Sequence, residues 1–192
     1  MKFIAYTALT ILLTLHTSLT KANDEPQRFV EVLVHDLTAT TRSTNGPAER
    51  RLLLARTLDM ERITAGVLGD YRNSLSDEQI GQFRTALGSS FELLIGHALE
   101  TFDTYEFSIG GVKATKTRAS VQAIMLPDSG GRYEAVFSLA KLNGSWRAQN
   151  MKLNGVNLGL TYRNQFAALM SENSNQFDAV LVAWQAGELG TK

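Results

Sequence analysis

Residues able to do acid–base, nucleophilic or metal chemistry are few in this chain, and they do not cluster. Cysteine is absent, which removes thiolate nucleophiles, thiolate metal sites and disulfides together. Beyond the first twenty-two residues the only imidazoles are His35 and His97. They lie far apart, each on a stretch of helical periodicity, and a metal site would want further ligands at set spacing. Both are expected to be structural. Gly110-Gly111 lacks the spacing and the lysine of a phosphate-cradling loop, and no Gly-x-Ser-x-Gly elbow occurs. Glu106 and Glu134 are the candidates for a carboxylic acid of raised pKa in a small α+β isomerase or hydrolase, yet strand alternation points both outward. Asn143-Gly144-Ser145 matches a glycosylation acceptor, a pattern that a hairpin turn already explains. No enzyme chemistry, cofactor or metal is expected, and binding is left as the default.

What the chain offers instead is large apolar groups on inward faces, so the elements that carry them matter. Residues 26–43 read as a helix, with Phe29, Val32, Leu33 and Leu37 on one stripe. Asn45-Gly46-Pro47 stops it and starts a second helix, about 47–57, followed by a short one near 59–68 that ends at Gly69. Ser76 with Gln79 forms a capping box for the longest helix. Its stripe is Ile80, Phe83, Leu87, Phe91, Leu94, Ala98 and Phe102, reaching to about residue 103. Gly81, Gly88 and Gly96 interrupt that helix at roughly 1 kcal/mol each relative to Ala. Such a cost implies close approach of a neighbouring helix, or of a ligand chain.

From Tyr105 the period changes to two. Strands are expected at 104–110, 112–126, 131–142 and 145–154, with Asp128-Ser129-Gly130-Gly131 and Asn143-Gly144 as hairpin turns. Tyr133, Ala135, Phe137 and Leu139 share one face, as do Val121, Ala123 and Met125. Two helices, about 161–172 and 175–187, close the chain with Tyr162, Phe166, Leu169 and Met170 inward. The order implies an α+β fold: an antiparallel four-stranded sheet covered by a mainly helical N-terminal half and two C-terminal helices. An apolar cavity between sheet and helices and an ordinary packed core are equally compatible with this composition.

The N-terminus resembles a secretory leader. Lys2 precedes an apolar stretch from Phe3 to Leu15, and Thr20-Lys21-Ala22 offers small residues for cleavage after Ala22. The stretch is shorter than the roughly 20 residues needed to span a bilayer. A signal peptide over 1–22 and one domain over 23–192 are therefore expected, with export to the periplasm. Removing the leader leaves 17 basic against 19 acidic residues and a formal charge of −2. That balance, without any basic run, argues against a nucleic-acid binder.

Gly155-Val156-Asn157-Leu158-Gly159-Leu160-Thr161-Tyr162-Arg163-Asn164-Gln165-Phe166 resembles a signature of the MlaC/toluene-tolerance family of periplasmic phospholipid-binding proteins. Leu58-Asp59-Met60, Val67-Leu68-Gly69-Asp70-Tyr71, Ser76-x-x-Gln79-x-x-x-Phe83 and Lys141-Leu142-Asn143-Gly144-Ser145-Trp146 are similar to further segments of that family, in order, across about 27–187. The pattern departs at Leu58, Arg72, Asn150 and Asn157, where an aromatic, Trp, Asp and Ser are common; these departures bear on the ligand more than on the fold. The hopanoid-locus HpnM branch is an alternative within the same family.

The resemblance implies a carrier that takes phospholipid, or a hopanoid or other terpenoid lipid, between an inner-membrane ABC transporter complex and an outer-membrane lipoprotein complex; a monomer is the simplest expectation. Two chains of about 16 carbons expose roughly 30 methylenes, so leaving them in water costs on the order of 25 kcal/mol. An enclosing cavity is needed. Its expected lining is Tyr71, Phe83, Leu87, Phe91, Val121, Met125, Phe137 and Phe166, with Trp146 filling the core. Arg163 either meets the phosphate or ties its helix to the body of the protein. An adaptor with a filled core and no lipid is the other non-enzymatic reading.

Overall fold

The computed structural model describes residues 14–101 and 104–187. The expected leader falls largely before residue 14, and both that stretch and Phe102 lie outside the described residues. The first helix, α1 (Thr14–Ala39), gives way to a 3₁₀ turn at Thr40–Arg42. Its end is tighter than a helix to 43 because threonine hydroxyls turn back on the chain. Thr38, Thr40 and Thr41 donate to the carbonyls of Val34, Leu37 and Thr38 at 2.8, 2.6 and 2.8 Å.

Next come α2 (Gly46–Thr57) and α3 (Met60–Leu68), the latter capped by Asp59, whose carboxylate accepts from the Arg62 N–H at 3.1 Å. A 3₁₀ segment at Gly69–Ser74 leads to α4 (Asp77–Thr101). The capping box forms in both directions: the Ser76 N–H donates to Gln79 Oε1 at 3.0 Å and the Gln79 N–H to Ser76 Oγ at 3.2 Å. The glycines of α4 behave differently from one another. Only Gly96 is tightly approached, by the Arg50 guanidinium 3.0 Å from where a Cβ would sit. Gly81 faces open space, and Gly88 meets only the Met60 methyl at 3.8 Å.

The sheet is an antiparallel meander of five strands rather than four: β1 (Tyr105–Ala114), β2 (Arg118–Pro127), β3 (Tyr133–Leu142), β4 (Ser145–Leu153) and β5 (Val156–Asn157). Gly110-Gly111 is a bulge inside β1, not the break between two strands. A Cβ on Gly110 would lie 2.8 Å from Ile124 Cδ1 and 3.1 Å from Gln122 Oε1, so the glycines let β2 side chains cross over β1. The true turn is Thr115–Thr117, closed by the Thr115 N–H on the Arg118 carbonyl at 2.8 Å. Asn143-Gly144 turns with φ of 48° and 84°, as a type I′ hairpin requires. Asn154-Gly155 repeats that geometry at 48° and 83° and creates the fifth strand.

The chain ends in α5 (Leu158–Glu172) and α6 (Phe177–Gln185), with Tyr162, Phe166, Leu169 and Met170 buried on α5. The α+β class is as expected. Its apolar interior, however, divides in two. One cluster joins α3, α4, α5 and α6 around Phe83, Phe166 and Trp184; the other joins α1 to the inner face of the sheet around Val30, Val121 and Trp146.

Candidate functional site

The inner face of the sheet is built by strand alternation. Ala119 and Val121 on β2, Ala135 and Leu139 on β3, and Ala148 on β4 all point inward and are buried. The small residues let α1 come close, and Val30 is fully buried against them. Large residues occupy the same face and stay only half-buried: Phe107 and Ile109 on β1, Met125 on β2, Phe137 on β3, Met151 and Leu153 on β4. The register sets Phe107 opposite Met125 and Phe137 opposite Met151. Among the described residues α1 is the helix that packs along β1 and β2, while α2, α3 and α5 reach the sheet at β4. An apolar face is thus incompletely covered by its own helices.

The residues expected to line one cavity do not share one surface. Val121, Met125 and Phe137 lie on this sheet face. Phe83, Leu87 and Phe166 are fully buried in the helical cluster, with Tyr71 and Phe91 half-buried at its margin. Edge-on ring contacts knit that cluster: Phe83 to Phe166 at 4.7 Å, Phe83 to Trp184 at 4.8 Å, Phe91 to Tyr162 at 5.3 Å and Tyr71 to Phe166 at 5.8 Å. Burial pushes the Tyr162 phenol above its ordinary pKa. Phe107, Met151 and Leu153 were not among the expected lining. The alternation through 105–109, and the partners of Phe137, are the signals that could have found them.

Arg163 stands half-exposed on α5, its guanidinium laid over Gly69. A Cβ there would sit 2.9 Å from Nε, a contact the half-exposed guanidinium could yield, and φ of +55° at residue 69 is what requires glycine. Arg163 Nη2 is 3.9 Å from the fully exposed Asp70 carboxylate. The two motifs Leu68-Gly69-Asp70-Tyr71 and Tyr162-Arg163 therefore meet in space. The Gly155–Gly159 link is a cap as well as a turn. Asn157 Oδ1 accepts from the Leu160 N–H at 3.2 Å and from Asn150 Nδ2 at 2.9 Å, and Asn150 Oδ1 accepts from the Gly159 N–H at 3.1 Å.

At the tip end of the sheet a groove of about 590 Å³ opens between α1, α2 and the β3–β4 turn. Phe29, Leu33, Leu53 and Trp146 form its apolar part. Glu25 bridges its mouth, accepting from Lys141 Nζ at 2.6 Å and from Trp146 Nε1 at 3.3 Å. The bonds from Lys141 and then Trp146 hold the Glu25 carboxyl below its ordinary pKa. Elsewhere, Glu106 is exposed and Glu134 half-buried on the outer face of the sheet. Among the described residues no three of His, Asp or Glu are placed to hold a metal, and no helix is long and apolar enough to cross a membrane.

The family described as MlaC protein matches residues 27–186. The toluene tolerance protein ttg2D of Pseudomonas putida is 28% identical over 139 residues, 71% of this chain and 64% of that protein. The match thus spans just under two thirds of the relative's length. The phospholipid-binding protein from Ralstonia solanacearum, solved in complex with a phospholipid, superposes with a TM-score of 0.73 at 19% identity, covering 85% of this chain and 97% of that one. At that identity the likeness is one of fold.

Proposed function

The chain belongs to the MlaC family, and on that premise we propose that it is a periplasmic lipid carrier that holds the acyl chains of a phospholipid against the inner face of its sheet. The observation that carries this reading is the half-covered apolar face of Phe107, Met125, Phe137 and Met151. Large apolar groups left partly open on one side of a sheet lose hydrophobic stabilisation unless something covers them. Acyl chains meet that need without hydrogen-bond demands, while the headgroup stays in solvent. The phospholipid bound to the Ralstonia protein supports the class of ligand.

In this reading Met125 and Phe137 contact the chains, Val121 lies fully buried beneath them, and Phe91 stands at the boundary of the helical cluster. Phe83, Leu87 and Phe166 hold the helices together, and Tyr71 and Arg163 tie α5 to the end of α3. Residues 1–22 act as a cleaved leader, and 23–192 form the lipid-binding domain. The carrier works as a monomer between an inner-membrane ABC transporter complex and an outer-membrane lipoprotein complex. Family membership and the cost of leaving lipid in water support handover in docked complexes.

The test is native mass spectrometry of the protein recovered from the periplasm, followed by extraction and identification of bound lipid. A stoichiometric phospholipid is expected, and Phe137→Asp should fold but lose it. A polycyclic terpenoid adduct would replace the phospholipid as cargo. A clean apo mass, unchanged after incubation with liposomes, would refute the carrier reading.

A further inference from the structure

The sheet is electrically lopsided. Between Glu106 and Asp128 the two strands β1 and β2 hold no acidic residue. Their cations, Lys113, Lys116 and Arg118, all fall around the turn that joins them. Across the outer face Arg118 sits opposite Ala140; Arg147, next along on β4, is half-buried and donates to the Ala55 and Leu58 carbonyls at 3.2 and 3.4 Å, so the exposed cations end at Arg118. Arg118 faces outward because its neighbour Ala119 is buried on the inner side. The acids Glu106, Asp128 and Glu134 gather at the opposite end, near the Tyr105–Pro127 pairing. Lys113, Lys116 and Arg118 are exposed and form no ion pair among the described residues.

Unneutralised like charges this close repel one another, and an external anion would relieve that repulsion. We propose that this end of the sheet docks on an anionic lipid surface, with the β1–β2 and β3–β4 turns toward the headgroups. The cations stand at and beside one hairpin turn, each exposed to solvent. A bilayer needs only charge density, whereas an acidic peptide would need a groove to hold it in register. Leu142, 37% exposed on the neighbouring turn, adds an apolar contact at the same end. The groove between α1 and α2 opens there too, so docking turns its mouth to the membrane. The surface is defined by charge placement and stands whether or not the protein carries lipid.

The test is flotation of the periplasmic protein with vesicles of phosphatidylcholine alone and of phosphatidylcholine mixed with phosphatidylglycerol, at low and at high salt. Binding is expected only to the anionic vesicles, and salt should weaken it. The triple variant Lys113→Gln, Lys116→Gln, Arg118→Gln should bind them about a hundredfold more weakly. Arg132→Gln with Lys152→Gln, at the opposite end, should bind as the unaltered protein does. Equal binding to neutral vesicles, an unaffected triple variant, or an equal loss in the opposite-end variant would each overturn the proposal. So would failure of the unaltered protein to float at low salt, which would leave an acidic protein surface as the partner.

Discussion

Glu92→Ala should be among the most damaging single changes outside the aromatic cluster. Glu92 and Arg50 join α4 to α2 with side chains only 4% and 10% exposed. Arg50 donates to Glu92 Oε1 twice, from Nε at 3.1 Å and from Nη2 at 2.9 Å. Its Nη1 reaches Thr40 Oγ1 at 3.5 Å, and Gly96 leaves the space in which the guanidinium lies. Arg51, 3.8 Å from the second carboxylate oxygen and 63% exposed, adds little. Truncating Glu92 strands a desolvated cation that its packing holds in place. The expected cost is about 3–5 kcal/mol, or roughly 10 °C in a domain of this size.

Urea unfolding checks this prediction: the midpoint should fall with an unchanged slope. Replacing both partners at once, Arg50→Met with Glu92→Leu, should restore stability to within about 1 kcal/mol of the parent, because neither charge is then buried. A loss under about 1 kcal/mol in Glu92→Ala would mean that water reaches Arg50. A double variant as weak as the single would mean that packing, not charge, is what was lost. Either result refutes the reasoning.

Gly159→Ala should destabilise by about 1–3 kcal/mol in thermal melts, because the new Cβ would lie 2.8 Å from Asn150 Oδ1; combining it with Asn150→Ala should cost less than the sum. The bridge across the groove mouth should be sensitive to acid. The folded pKa of Glu25 is lowered, so its contribution is complete above the unfolded value of 4.5 and is lost as pH falls through the folded value. The Trp146 indole N–H resonance should report that loss, and Glu25→Gln should abolish the pH dependence. Arg163→Ala should cost under about 1 kcal/mol, since Asp70 is fully exposed. Bound lipid should be retained in that variant; its loss with an intact fold would instead place the guanidinium at the headgroup.

Much of the architecture was legible because its signals are local. Ser76 and Gln79 mark a helix start through atoms three residues apart, and Asn143-Gly144 marks a hairpin because few other pairs accept positive φ at both positions. The inward faces of α5 and β3 followed from period alone. The family motifs were legible too, though what they do was not. Gly69 and Arg163 read as separate fragments until the fold laid one on the other.

Three decisions belonged to the tertiary structure. Gly110-Gly111 suits a turn or a bulge equally well by its own conformational freedom, and Ile124 and Gln122 on the next strand decide for the bulge. Arg50 and Glu92 are 42 residues apart, and each looks like an ordinary member of a solvated helix face. Only the packing of α2 against α4 removes the water that would have kept them so. Periodicity likewise says which side of each element is apolar but not which other side it meets. The inward residues of α4, α5 and α6 bury against one another, α1 packs along β1 and β2, and Phe107, Met125 and Phe137 on the sheet stay half-buried. The sequence determines the apolar faces because side-chain direction repeats along a backbone; their pairing is decided only when competing burials are weighed over the whole chain.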